Sequence, residues 1–331
     1  MSSLLVRLGL SRAGPWEPPS VLDRLLASPV RAVAYFLWRA MTAMQSWMRT
    51  RTRTRKTETN SSSTSAPLRV VCIADTHDLF PAHVPPGDLL IHAGDLTNSG
   101  SPADLQLMLD WLTAQPHRHK VVVAGNHDAW MDPVARVAAG LTSPLPPDPV
   151  FATNVHYLQH RSVVLDFAAG RRLTVFGAPD IPVCGPASFA FQYDPDTPPW
   201  KDAIPADIDI LVTHAPPRHH CDLELGCPGL LRELWRVRPA LHVFGHVHWG
   251  AGREVLHWDA SQQAYESLMG EASPSSWLAC LRLLLSGVLS SAAALAWPSM
   301  TIDCPTTVLI NAAQMYGDTG RLRNDVQVID L

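Results

Sequence analysis

An excess of either charge is what this chain most plainly lacks. Its 26 lysines and arginines stand against 30 aspartates and glutamates, a formal charge of -4 over 331 residues. A balance so near neutral excludes nucleic-acid binding by bulk electrostatics. The six cysteines (Cys72, Cys184, Cys221, Cys227, Cys280 and Cys304) form no CxxC pair and no regular framework, which excludes a disulfide-stapled scaffold and fits a reducing compartment. No internal repeat is present. The first ten residues hold no apolar core followed by a small-residue cleavage site, so no secretory signal is expected there. Long hydrophobic runs are scarce too. Trp277–Trp297 is the exception, with Arg282 as its one charge, and its 21 residues match the thickness of a bilayer.

Histidine, by contrast, is abundant, and five of the 15 fall into short polar blocks that close apolar runs. Val70–Ala74 stops at Asp75-Thr76-His77, and Leu89–Ile91 precedes Gly94-Asp95. Val121–Val123 runs into Gly125-Asn126-His127-Asp128. Ile208–Val212 leads to Thr213-His214, and Leu241–Phe244 to Gly245-His246-Val247-His248. Short continuous apolar runs suit strands buried on both faces. Ser101-Pro102 opens a helical stretch in which Leu105, Leu109 and Leu112 share a face. Val155–Leu158, Val163–Leu165 and Leu173–Phe176 supply further strands, and Leu230, Leu231 and Leu234 mark a second helix. Glu254–Leu256, Val308–Ile310 and Val326–Ile329 are late strands. The alternation predicts an α/β layered fold with a second, mixed or antiparallel sheet.

Carboxylate, imidazole and amide groups at successive strand ends are the ligands of a hydrolytic site with two divalent ions. The candidate metal ligands are Asp75, His77, Asp95, Asn126, His214, His246 and His248. Two ions in close proximity need a shared ligand, and the two oxygens of Asp95 make it the natural bridge. The i, i+2 pairs Asp75/His77 and His246/His248 let one loop present two ligands. Glycines before Asp95, Asn126 and His246 are expected to let the backbone turn beside the ions. His127 follows a ligand and points elsewhere, as suits a general acid, and Asp128 is expected to orient its ring.

The order DxH, GD, GNHD, H and GHxH resembles the calcineurin-like metallophosphoesterases. More narrowly, residues 68–260 and the tail near Ile310-Asn311-Ala312 resemble the metallophosphoesterase-domain-containing group related to brain protein 239, through phrases such as Phe176-Gly177-Ala178-Pro179 and Thr213-His214-Ala215-Pro216-Pro217. The resemblance implies a four-layer α/β/β/α sandwich with a dinuclear site at the strand ends. It places Asp75, His77, Asp95 and His248 on one ion and Asp95, Asn126, His214 and His246 on the other, with His127 beside the phosphate. It implies attack by a metal-bridging hydroxide, with Mn as the first choice of metal and Fe, Zn or Ni as alternatives. The block Gly94-Asp95-Leu96-Thr97-Asn98 departs from the Asp-Arg-Gly extension of the Ser/Thr protein phosphatases, which argues against a phosphoprotein substrate. The expected activity is that of a phosphodiesterase on a small phosphate ester. A phosphomonoesterase, or a metal-containing binding or scaffold protein with little turnover, is the alternative.

Residues 1–66 read as an N-terminal helical or disordered extension before a phosphoesterase domain at 67–331, itself carrying a hydrophobic helical insertion at about 261–300. After Ser28-Pro29, residues Val30, Val33, Leu37, Met41, Met44 and Met48 recur at helical spacing. Arg49–Lys56 and a Ser/Thr-rich stretch through Ser65 then read as a solvated linker. Peripheral membrane contact through 29–56 or 277–297 is one expectation for these segments, and a mitochondrial targeting role for the arm is another. The location expected for the whole is cytoplasmic, with membrane-associated or mitochondrial as alternatives. The 277–297 run reads as a docked helix rather than a membrane span, because the strands on either side of it must meet in one body. His92 reads as a packing histidine, and His219, His220, Arg218 and Arg253 as surface residues.

Overall fold

In the computed structural model, residues 6–7, 10–12, 14, 17–59, 67–141, 148–270, 276–296 and 305–331 are described. Their strands follow the apolar runs closely. The first are β1 (Arg69–Ile73), β2 (Leu89–Ala93), β3 (His119–Val123), β4 (Val155–Tyr157), β5 (Arg161–Asp166) and β6 (Arg172–Ala178). A short pair, β7 (Ile181–Pro182) and β8 (Gln192–Tyr193), precedes β9 (Ile210–Thr213), β10 (Leu241–Phe244), β11 (Gly252–His257), β12 (Thr306–Asn311) and β13 (Gln327–Asp330).

Two mixed sheets result, one ordered β13-β1-β2-β3-β4 and the other β11-β12-β10-β9-β6-β5. Their facing sides interdigitate. Val70, Cys72, Leu89, Ile91, Val121 and Val123 from the first meet Val175, Ile210, Val212, Leu241, Val243 and Ile310 from the second in one buried core. Period-2 alternation sends Val71, Ile73, Leu90 and Val122 to the opposite face, where Leu105, Met108, Leu109 and Leu112 of the helix Pro102–Ala114 cover them. That helix starts where Ser101 caps it, its hydroxyl accepting from the Asp104 N–H. The helix Pro228–Val237 buries Leu230 and Leu234 and connects the parallel neighbours β9 and β10. A crossover of this kind packs back on the free face of its sheet, which completes the α/β/β/α sandwich.

Register aligns the ends that matter. Ile73 pairs with His92, Ala93 with Val123, Ala178 with Thr213, and Phe244 with Asn311. The loops that leave β1, β2, β3, β9, β10 and β12 therefore emerge level with one another, at the carboxyl ends of parallel strands, where open α/β sheets bind ligands.

The chain divides into two compact units, Ala66–Glu254 with Val308–Leu331, and Met1–Ser65 with Val255–Thr307. In the second, Trp38 stacks on Tyr265 at 4.4 Å and its Nε1–H donates to Gln262 Oε1 at 2.9 Å, which joins the helix Pro29–Thr59 to the helix Ala260–Gly270. The helix Ser276–Ala296 lies against the same partners. A side chain at its Gly287 would strike Met41, and the Cys280 thiol reaches the Val30 carbonyl. Two expectations change here. The helix begins at Pro29 as read, but it runs on through the basic stretch to Thr59, so the solvated linker does not start at Arg49. Its buried side carries Ala32, Ala34 and Trp38, while Met44 of the expected stripe is exposed. The remainder of the expected linker, 60–66, lies outside the described residues. β11 and β12, which flank the 258–305 stretch, are sheet neighbours. Among the described residues, no helix is long and apolar enough to cross a membrane.

Candidate metal centre

Six of the seven candidate ligands fall into two overlapping clusters. Asp75, His77, Asp95 and His248 bring ligand atoms within 4.8 Å of one another, and so do Asp95, His214 and His246. Asp95 belongs to both. The seventh, Asn126, joins the second cluster through its Oδ1, 3.0 Å from His214 Nε2. His127 lies at the rim, its ring 4.8 Å from that of His77.

The backbone that delivers these groups is bent against its ordinary preference. Asp75, His77, Asp95 and His246 all hold positive φ, from 47° to 67°. Left-handed residues without the freedom of glycine persist where the surroundings over-determine them, and they gather at functional sites. The glycines divide their work in a way the expected sharp turns did not anticipate. Only Gly94, at φ 98°, needs the left-handed region. Gly125 and Gly245 are required by close approach instead. A Cβ on Gly125 would sit 2.2 Å from Asp95 Oδ1 and 2.3 Å from the Asp95 backbone nitrogen, and one on Gly245 would sit 2.2 Å from Asp75 Oδ2. Gly125→Ala is accordingly expected to destabilise the fold by about 1–3 kcal/mol and to weaken metal retention. Urea denaturation with metal analysis checks this, and an unchanged midpoint with full metal content would show that the approach is looser than described.

Electrostatically the centre calls for cations. Asp75 is 0 % and Asp95 2 % exposed. Buried carboxylates of this kind are costly unless paired, and here their partners are backbone N–H groups and imidazoles. The His246 N–H donates to Asp75, and the His127 N–H to Asp95 Oδ1 at 2.8 Å. His248 donates Nδ1–H to the Gly317 carbonyl, and His214 donates Nδ1–H to the Ala93 carbonyl, each at 2.9 Å. In the neutral ring this leaves Nε2 with a bare lone pair, aimed at Asp75 Oδ1 (3.4 Å) and His77 Nε2 (3.3 Å) in one case and at Asp95 Oδ2 (3.4 Å) in the other. Lone pairs that converge in this way are relieved by a cation held between them. Carbonyl partners on the far ring nitrogen are also the usual support of metal-ligating histidines. The donor set therefore fits divalent ions. The same electrostatics govern protonation. Burial opposes a charge on His214, yet the Asp95 carboxylate pushes its pKa up to about 9. Burial likewise opposes a charge on His248, which Asp75 pushes up to about 9. Burial works against the charge of Asp95 as well, but His214 and His77 hold it well below the usual carboxylate range.

Asp128 does not orient His127. Its carboxylate accepts from the N–H groups of Leu96 (3.2 Å), Thr97 (2.9 Å) and Gly125 (2.8 Å) and from the Thr97 hydroxyl (2.8 Å). It thus ties the loop after β2 to the loop after β3 and acts as a positioning residue. The partner of His127 Nδ1 is instead the Asn98 carbonyl, at 2.9 Å. A carbonyl can only accept, so Nδ1 carries a proton and Nε2 is left for chemistry. Phe189 packs on the His127 ring at 4.7 Å. Its loop is held to the site by the Ala190 N–H, which donates to the Asn126 carbonyl.

Some supporting residues escaped sequence reading. The carbonyls of Ala93, Asn98 and Gly317 carry no side-chain signature. Asn311 donates to the Cys221 and Val247 carbonyls and so clamps the loop that bears His246 and His248. Its lone polar side chain at the end of an apolar strand was the available signal. His92, buried against the Thr76 hydroxyl and held neutral by burial at a pKa of about 3, is the packing residue expected. His220 is not on the surface: it is buried and its Nδ1 meets Glu254 at 3.0 Å. Arg218 is tied to the Glu224 carbonyl of its own loop.

Residues 68–250 match the family model described as calcineurin-like phosphoesterase. Among curated relatives, the chain is 39 % identical over 320 residues to a protein named probable rhamnogalacturonate lyase C of Emericella nidulans, an alignment that takes in 95 % of this chain and 28 % of that protein. It is 38 % identical over 190 residues to a UPF0046 protein of Caenorhabditis elegans, covering 55 % of this chain and 63 % of the relative. It is 34 % identical over 207 residues to metallophosphoesterase domain-containing protein 1 of Homo sapiens, covering 56 % and 61 %. In each case the alignment spans less than two thirds of the relative's length.

Proposed function

The chain belongs to the calcineurin-like phosphoesterase family, and from that premise we propose that it hydrolyses small phosphodiesters at a centre of two divalent ions. The observation that carries this reading is the place of Asp95 in both ligand clusters. Asp75, His77, Asp95 and His248 would hold one ion, and Asp95, Asn126, His214 and His246 the other. When bound, such ions lower the pKa of water and neutralise charge that gathers on phosphoryl oxygens. Manganese is the proposed metal, since a set of carboxylates, imidazoles and an amide suits several first-row ions.

The chain's own contribution to turnover falls to His127. With Nδ1–H fixed on the Asn98 carbonyl, the protonated ring presents Nε2–H to the departing ester oxygen, as a general acid requires. Asp128 keeps the two ligand loops in register while this happens. Support for a diester comes from what surrounds His127. The Phe189 ring packs on His127, beside the carboxylates, imidazoles and amide gathered at the centre. The second ester group of a diester gains from an aromatic wall of this kind.

The test is a comparison of kcat/KM for bis-p-nitrophenyl phosphate and p-nitrophenyl phosphate with Mn²⁺. A preference for the diester of about tenfold or more, some 1.4 kcal/mol of transition-state binding, is expected. Equal rates, or a preference for the monoester, would overturn the diester reading.

A further inference from the structure

The unit formed by Met1–Ser65 and Val255–Thr307 plays no part in the centre described above, and its helices are built unlike those of the sandwich. The helix Ser276–Ala296 is apolar on two sides. Cys280 and Leu283 are buried, and Gly287 lies under Met41, a stripe at i, i+3 and i+7 that packs on its neighbours. Trp277, Leu278, Leu281, Leu284 and Leu285 face away from that stripe and are 41–65 % exposed. Five large apolar side chains within nine positions of one helix form an interaction surface rather than a scatter of surface hydrophobes. The helix Ala260–Gly270 carries Glu266 as its one charge, but the charge of the two longer helices is almost all basic. Arg282 is the only charged residue of Ser276–Ala296, and the stretch between Asp23 and Glu58 contains eight basic residues and no acidic one, five of them in Arg49–Lys56. That basic run forms part of the helix Pro29–Thr59.

We propose that this unit docks on an anionic lipid surface, with the exposed face of Ser276–Ala296 entering the acyl boundary and the basic run of Pro29–Thr59 meeting the headgroups. The composition selects this occupant. A protein partner calls for a polar, hydrogen-bonding rim around the apolar centre, whereas an exposed apolar face on one helix and a basic run free of acidic residues on another are the pattern of attachment to an anionic bilayer. Trp277, at the start of the exposed stripe, belongs to the residue types that favour the headgroup level. Among the described residues no helix is long and apolar enough to cross a membrane, so the attachment proposed is peripheral.

Flotation of the full chain with vesicles of phosphatidylcholine, alone or mixed with phosphatidylserine, tests it. Two variants accompany the wild type. One combines Leu278→Ser, Leu281→Ser and Leu285→Ser, all exposed positions. The other combines Arg49→Gln, Arg51→Gln, Arg53→Gln and Arg55→Gln. The wild type is expected to float with the mixed vesicles and to release as salt is raised. Each variant should bind at least about tenfold more weakly while melting at the wild-type temperature and hydrolysing a soluble diester at the wild-type rate. Wild type that ignores the mixed vesicles, binding equal on phosphatidylcholine alone, or variants that bind as the wild type does would each overturn the proposal. So would a dimer that the leucine variant abolishes in the absence of vesicle binding, since the occupant of the face would then be a second copy of the chain.

Discussion

Asp95→Asn is expected to lower kcat/KM for a phosphodiester by on the order of 10³-fold or more, equivalent to about 4 kcal/mol of transition-state stabilisation, and to cut the metal content from two ions to one or none. The substitution keeps the size of the side chain and the oxygen that receives the His127 N–H. What it removes is the charge and one of two equivalent oxygens. Asp95 is the sole member common to both clusters, and ions held close together depend on a shared anionic ligand to offset their mutual repulsion. Loss of that charge therefore damages both sites at once, whereas loss of His77 or His246 removes a ligand from one. Kinetics on bis-p-nitrophenyl phosphate and metal analysis of the same preparation check the prediction. Wild-type rate with two ions retained would remove Asp95 from its bridging role.

His127→Ala is expected to separate chemistry from metal binding. The side chain belongs to neither ligand cluster, and its Nδ1 is committed to the Asn98 carbonyl, so both ions should remain. Turnover should fall by roughly 10²–10⁴-fold, the usual contribution of a positioned general acid. The loss should depend on the leaving group. A p-nitrophenolate departs without much help, while an alkoxide needs a proton, so an alkyl ester should suffer more than the activated one. Single-turnover rates on the two ester types, with metal content measured alongside, read this out. An equal loss on both esters, or loss of an ion, would assign His127 to positioning or ligation instead.

Much of the fold was legible because both sheets are buried from two sides. Val70–Ala74 and Val121–Val123 had to be continuous apolar runs, Leu241–Phe244 is apolar but for the buried His242, and the first polar residue after each run had to fall at a strand end. That regularity exposed the ligands as well, since Asp75, Asn126 and His246 come at or just after those first polar residues. The long-range organisation was harder to read. Trp38, Gln262 and Tyr265 belong together although 224 positions separate the first two, and no periodicity within either helix records the partner. The apolar stripe read along Val30–Met48 includes Met41, which lies over Gly287, but it gave no notice of Trp38, which is placed by its stack on Tyr265 and not by spacing. Asp128 was misread through adjacency. A carboxylate next to a catalytic imidazole suggests a relay, but the chain turns between them, and the N–H groups of Leu96, Thr97 and Gly125 claim its oxygens first. Gly125 and Gly245 were read as turns when the constraint on them is contact with Asp95 and Asp75, a relation that exists only once distant strands have met.

The most direct test of the two-ion centre is a titration of chelator-stripped protein with Mn²⁺, following diester hydrolysis and bound metal together. Activity that stays negligible in the stripped protein and saturates at two equivalents is the expected result. Activity that survives stripping, or that saturates at one equivalent, would contradict it.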